Sequence, residues 1–506
     1  MAEEAPGAPA SNRELEAKLD VPEGFRMPPL DAALDGLSAR PLPGAELDAV
    51  YYDTPDLRLA RSGLTLRHRI GDGVGWTLKL PDEGPGAAAP LSRRELTMAG
   101  SPDEIPPALA ELATAYVRTA GLAPVARLRT RRSGVEVVDG RGRRVGEIVE
   151  DDVEVEGAKG RPGRFREVEV EIDAAAPGEV MTRLLALLRE AGAKEGDGLP
   201  KLVRALGAAA RRPPELVVPR LRKRSSAADV LRAAMAGSTL RILGHDAGVR
   251  LGDDPEDVHQ ARVGARRLRS DLRTFRSLLE PGWREGLEGE LRWLGAELGA
   301  VRDADVLGER LRRQGTALAE RDGRGLAAIL RRLEWERDEA RGRLLEAMRS
   351  ERYVSLLDRL VAAARDPRTL PAADRPAAET LPKLVGRPWR RLVREVRALD
   401  AEPSDEALHR VRIRAKRARY AAEAAVPAAG RRAHRLGRAL AGLQDVLGEH
   451  QDAVVAEGWL RAHSRASPLV AGQLIAMQRL EGAAERAAWP KAWKRARRRR
   501  PTKWPT

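Results

Sequence analysis

An α+β fold is predicted for this chain, with an antiparallel β structure in its first part and a duplicated bundle of α-helices in its second. Three observations predict it. Up to about residue 210, short segments alternate apolar and polar residues with period two and are broken by Gly, Pro and Asp. From Ala227 onward, apolar residues recur at spacings of three and four. Within that helical part, VHQARVGARRLRSDLRTF from Val258 returns as LHRVRIRAKRARYAAEA from Leu408, so that His259 and His409 stand 150 residues apart.

The period-two segments are ELEAKL, AVYYDT, LTLRHRI, WTLKLP, LSRRELTM, VEVVD, RVGEIVED and FREVEVEID. Helices are expected at IPPALAELATAYVRTAG and at GEVMTRLLALLREAG, the second closed by a Gly after its last apolar position. The Pro-rich stretch RRPPELVVP, residues 211–219, marks the change of composition. The expected organisation is a disordered start (1–12), a first domain (13–208), a linker (209–224), a helical domain (225–488) with repeats at about 225–365 and 375–488, and a disordered basic tail (489–506). At 506 residues the chain exceeds what one hydrophobic core usually covers, and 42% hydrophobic with 33% charged residues suits globular domains.

No stretch is apolar enough to span a membrane, and MAEEAPGAPASN has neither the basic start nor the apolar run of a signal peptide, so a cytoplasmic location is expected. The absence of Cys leaves oxygen and imidazole as the only strong metal ligands. Charge is unevenly spread. Residues 1–210 hold 28 Lys and Arg against 35 Asp and Glu, leaving 62 against 40 for the rest of a chain whose net charge is +15. The basic part suits a polyanionic partner.

Side chains alternate faces along a strand, which puts Glu14, Glu16 and Lys18 on one face and Leu15, Ala17 and Leu19 on the other. Glu167, Glu169 and Glu171 share a face of FREVEVEID in the same way. Such alternation ordinarily marks a sheet with its charged face in water. Like charges at i and i+2, however, are tolerated best with a cation between them, and other strands supply cations: Arg67 and Arg69, Lys79, Arg93, and Arg129 with Arg131. A sheet closed with these faces inward would hold a divalent cation beside a polyanion.

ExExK on the first strand, YYDTPDLRLARSGLTLRHR at residues 51–69, WTLKLP and a late ExExE strand together resemble the CYTH family, the triphosphate tunnel metalloenzymes, over roughly residues 13–208. The resemblance implies an eight-stranded antiparallel tunnel with flanking helices, using Mg²⁺ or Mn²⁺. It implies Glu14, Glu16, Glu169 and Glu171 as metal ligands, with Glu167 an alternative and Asp151 or Asp152 a further carboxylate. Lys18, Arg67, Arg69, Lys79, Arg93, Arg131 and Lys201 become phosphate binders, Arg129 competing with Arg131, and Glu14, Glu16 and Lys18 the catalytic set. The implied reaction is metal-dependent hydrolysis of a triphosphate, inorganic triphosphate first. Thiamine triphosphate hydrolysis, adenylate cyclisation and a non-catalytic phosphate-binding role are the alternatives.

In the helical part, His259, Arg262, Arg266, Arg269 and Arg273 step by three and four along one helix face, and His409, Arg412, Lys416 and Arg419 repeat the rhythm. Stacked cations with few local acids call for a polyanion. The stripes lack interleaved aromatics for base stacking, which disfavours nucleic acid. LGAVRDADVL and LGEHQDAVVA follow the two stripes, and Asp303 and Asp452 there are expected to orient the arginines. The stripes with their leading His resemble the CHAD family of helical domains over roughly residues 225–488. That resemblance implies binding of inorganic polyphosphate by these residues, and association with polyphosphate granules.

Overall fold

The computed structural model describes residues 9–29, 36–71, 75–81, 91–156, 163–173, 176, 178–196 and 198–498, without the side chains of residues 11–14, 91–93 and 178. The chain divides into two compact units, Met1–Glu215 and Leu216–Thr506.

In the first unit the strands are β1 (Ala10–Asp20), β2 (Leu37–Asp53), β3 (Thr65–Ile70), β4 (Gly75–Pro81), β5 (Leu91–Met98), β6 (Ala123–Asp139), β7 (Arg144–Glu156), β8 (Gly163–Asp173) and β9 (Lys194–Glu195). They run β5-β4-β3-β2-β6-β7-β8-β1-β9, and β5 also pairs with β1. Eight strands therefore close on themselves into an antiparallel barrel, one for each period-two segment of the sequence. The ninth is two residues long and pairs with Leu19 and Asp20 of β1, beyond the part of β1 that pairs with β5. Closure satisfies the strand edges.

The helices of this unit are α1 (Arg58–Arg61), α2 (Pro107–Val117), α3 (Gly178–Glu190) and α4 (Lys201–Leu206). Helix α3 covers the apolar outer face of the barrel: Met181, Leu184 and Leu188 pack on Ala17, Leu19, Val168, Val170 and Ile172. That cover turns the opposite, charged face of β1 and β8 inward. Helix α4 lies between Pro200 and Gly207 (φ 61°) and packs Leu202, Val203 and Leu206 against Ala49, Tyr51, Leu128 and Val153. The DTPDLRL motif is structural, because the buried Asp53 carboxylate accepts the backbone N–H groups of Thr54, Leu59 and Ala60 at 2.7–2.9 Å and so anchors α1.

In the second unit the described residues form α5 (Ala227–Leu251), α6 (Pro255–Thr274), α7 (Pro281–Gly315), α8 (Gly323–Arg349), α9 (Glu351–Arg365), α10 (Ala377–Arg397), α11 (Asp405–Ala424), α12 (Val426–Ala462, kinked at Gly430) and α13 (Pro468–Arg497). The duplication is visible in the backbone. Ser226 and Pro376, 150 residues apart, form an antiparallel bridge at the starts of α5 and α10. Asp254 and Ser404, also 150 apart, cap α6 and α11 with their side chains. Helices α6 and α11 pack together.

The basic tail corrects an expectation. Residues to Arg497 continue α13 rather than falling into disorder, held by Trp493 stacked on Trp389 (5.8 Å, 30°) and by buried Ala496. Residues 499–506 lie outside the described residues.

Candidate functional site: a charged tunnel and a basic helical face

Register builds the first site. Across the β1–β8 ladder Glu16 stands opposite Glu171, Lys18 opposite Glu169 and Asp20 opposite Glu167. A directly opposed carboxylate pair is unfavourable without a cation. Glu16, Glu169 and Glu171 each offer a carboxylate oxygen within 4.8 Å of the others, a hard-oxygen donor set that fits a divalent cation such as Mg²⁺ or Mn²⁺. These residues line a cavity of about 800 Å³, shared with Lys18, Arg67, Arg69, Lys79, Arg132, Arg144 and Lys201.

The carboxylates are held by lysines and arginines. Lys18 pairs with Glu16 at 2.7 Å and contacts Glu169. Lys201, 8% exposed, meets Asp151 and Glu167 at 2.9 Å and Glu169 at 2.6 Å. Burial opposes the charge on Lys18 and on Lys201, but the surrounding carboxylates outweigh it and raise both ammonium groups above the ordinary lysine range. Glu169 is held well below the usual carboxylate range, Lys18, Lys201 and Arg132 overcoming its burial. Lys79 is raised in the same way, against burial, by Glu16, Glu95 and Glu171. Lys18, Lys79 and Lys201 therefore keep their charge across neutral pH, and so does Glu169.

Of the sequence-predicted residues, the tunnel gathers Glu16, Lys18, Arg67, Arg69, Lys79, Glu169, Glu171 and Lys201 around one cavity. The side chains of Glu14 and Arg93 lie outside the described residues, although their backbones pair with one another. Arg131 is corrected: its side chain is 69% exposed on the outer face, near Asp152, and Arg129 is 55% exposed beside Glu156. The inward cation of β6 is Arg132, which donates to Asp151 at 2.9 and 2.7 Å and to Glu169 at 3.1 Å. Its signal was a charge falling in phase with Leu128 and Thr130 rather than with Arg127, Arg129 and Arg131. Asp151, not Asp152, is the buried carboxylate, and Glu167 is buried with it. Two further groups went unread: Tyr51, whose phenol accepts from Arg67 at 3.3 Å, and Arg204, which reaches Glu167 at 2.8 Å.

On the helical face, Arg262 donates to Asp303 at 2.8 Å, and Arg412 lies 4.0 Å from Asp452, so the repeat-related acids meet repeat-related arginines. Arg266 and Arg419 lie about 6 Å from the Tyr420 ring, each within cation–π reach. His409 shares a hydrogen bond with Gln451 at 2.7 Å. The Nε groups of Arg266 and Arg412 are buried without a partner among the described residues. Buried donors left open are costly and rare. Arg269 and Arg273 share their surroundings with Arg417, a residue off the predicted stripe. Arg419 is engaged locally, donating to Glu423 at 2.7 Å and to Gln444 at 3.4 Å.

Comparison with known proteins agrees with this division. The CYTH domain model matches residues 12–203 and the CHAD domain model residues 233–461. The chain is 34% identical over 489 residues to the protein named Uncharacterized protein Rv2226 of Mycobacterium tuberculosis, covering 90% of this chain and 89% of that one. Two solved structures are each 28% identical. PptA from Streptomyces chartreusis covers 53% of this chain and 100% of its own, with a TM-score of 0.44. The CHAD domain from the plant Ricinus communis covers 55% and 94%, with a TM-score of 0.46. Among the described residues no helix is long and apolar enough to cross a membrane. With both domain models matched in succession and a relative alike over nine-tenths of either length, the chain belongs to the family in which a CYTH domain, of the triphosphate-tunnel type, is followed by a CHAD domain.

Proposed function

We propose that the tunnel hydrolyses inorganic triphosphate with a divalent cation, and that the helical domain binds inorganic polyphosphate. One observation carries the first part: three carboxylates able to share a cation and a wall of permanently charged Lys and Arg side chains face the same cavity. A bound cation there would neutralise phosphoryl oxygens and acidify a water molecule. Arg67, Arg69 and Lys79 would grip the phosphate chain, and Arg132 and Lys201 would hold the carboxylates in position while offering charge to the transferring group. Inorganic triphosphate is favoured over a nucleotide because Tyr51 is the only aromatic side chain among the cavity's described lining residues, which leaves little for a base to stack on.

For the helical face, the open Nε donors of Arg266 and Arg412 support an anionic ligand, and the burial of Tyr420, the ring within reach of Arg266 and Arg419, favours polyphosphate over a stacked nucleic-acid base. The test of the tunnel is phosphate release from inorganic triphosphate, thiamine triphosphate and ATP with and without Mg²⁺, in wild type, Glu16→Ala and Glu171→Gln. Release from inorganic triphosphate that needs the metal and disappears in both variants is expected. No release by wild type from any substrate would leave a phosphate-binding scaffold.

A further inference from the structure

Outside the tunnel and the basic stripe, the helical domain has a cleft of about 330 Å³ among α5, α6, α11 and the start of α12. None of the stripe residues lines it. Leu221, Val230, Ala233 and Pro427 give it an apolar wall, and its volume is at the small end of the range in which proteins hold small molecules. Among these residues stand polar groups that the bundle leaves unsatisfied. Tyr420 is 7% exposed, and its hydroxyl is buried with no hydrogen-bond partner among the described residues. A buried hydroxyl left open is uncommon in a folded protein. Asp271 is also 7% exposed, and the cation beside it, Arg267, already donates to Glu423. Arg241 lines the same cleft and donates to the side-chain oxygen of Gln260, an uncharged partner that leaves the guanidinium charge in place.

We propose that this cleft is a binding site for a small carboxylate with an apolar body, the charge meeting Arg241, an oxygen accepting from the Tyr420 hydroxyl, and the body lying on Val230, Ala233 and Pro427. Each feature selects for that class. The open phenol calls for an acceptor, and the guanidinium calls for a negative one, since hydrogen bonds between charged partners are about twice as strong as neutral ones. Burial, opposed by Arg267, pushes the Asp271 carboxyl up to about 7, so below that pH it keeps a proton that it can donate to the same ligand. An ammonium ligand would instead meet the repulsion of Arg241 and Arg267. The apolar wall gives a bare inorganic anion nothing to gain over water, whereas it rewards a hydrocarbon body. The site stands independently of the triphosphate and polyphosphate readings.

The experiment is a ligand-observed NMR titration of the full chain at pH 7 with benzoate and hexanoate, and with benzylamine and benzamide as matched cationic and neutral probes. Wild type is compared with two variants. Gly237→Leu fills the cleft: a side chain begun at Gly237 meets only Val218 within 4 Å, at 4.0 Å, and leucine suits a helix better than glycine, so the variant should fold. Tyr420→Phe removes one oxygen and keeps the ring. A carboxylate should bind wild type roughly tenfold or more tighter than the amine and the amide. Its binding should be lost in Gly237→Leu and weaker by roughly tenfold in Tyr420→Phe, the scale of one hydrogen bond to a charged group. Should Gly237→Leu fail to fold, Tyr420→Phe decides alone. Carboxylate binding unchanged in the folded variants would overturn the proposal by placing the anion on other cations of the chain. Tighter binding of benzylamine than of benzoate would overturn the ligand class, and binding of neither carboxylate would overturn the site.

Discussion

Replacing Lys201 by Met keeps the length of the side chain and removes the ammonium that three carboxylates share. Asp151, Glu167 and Glu169 lie within 3 Å of it, and all are almost wholly buried. Breaking a buried ion pair from one side costs about 3–5 kcal/mol. Here Lys18, Arg132 and Arg204 remain on the carboxylates, so the lower end applies, about 3 kcal/mol. For a unit of this size that is a fall of about 6–12 °C in the first thermal transition. The measurement is calorimetric unfolding in EDTA at pH 7. The sign of the pH dependence is a second check. Asp151 and Glu169 are held below the ordinary carboxylate range, so their contribution is full above about pH 4 and is lost as pH falls through their folded values. The gap between variant and wild type must therefore narrow in acid. It should also narrow in saturating Mg²⁺, which supplies positive charge to the same carboxylates. A gap below about 1 kcal/mol at pH 7 without metal would refute the view that Lys201 holds this cluster together.

Two further outcomes follow from placement. Arg132→Ala should lower kcat/KM for triphosphate hydrolysis by roughly 100-fold or more, the scale of losing one charge-stabilising donor, while the outward Arg131→Ala stays within about twofold; steady-state kinetics decides between them. Asp271 in α6 is buried, and that burial, opposed by Arg267 and assisted by Glu423, pushes its carboxyl up to about 7. An acid raised in the folded state costs stability as pH climbs from its unfolded value near 4 to its folded value. Asp271→Asn should therefore match wild type near pH 4 and unfold later than it at pH 8, by up to about 4 kcal/mol in the helical unit, read by thermal melts at both pH values.

The eight strands were legible because each carries its own alternation, and the first and last announce their shared charge by repeating it. Which face of a strand turns inward is a different matter, since alternation gives two faces and not their direction. On β1 and β8 the charged phase points inward because α3 packs on the apolar one. On β6 the regular arginines Arg127, Arg129 and Arg131 are the exposed phase, and the inward residues are Leu128, Thr130 and Arg132. The rule that located Glu16 and Glu169 therefore chose Arg131 and passed over its neighbour. The helical stripes were legible for a parallel reason, as three-and-four spacing fixes one face of one helix. Arg417 was not, because it belongs to a cluster assembled between helices, with Arg269 and Arg273 of α6 and Arg391 of α10. The tail failed on composition: its many cations masked Trp493, whose ring stacks on Trp389 in the stretch where α13 continues to Arg497. On β6 and along the helical stripes the pattern of the single element was legible, and what it lacked was the neighbouring element that decides which residues are brought together.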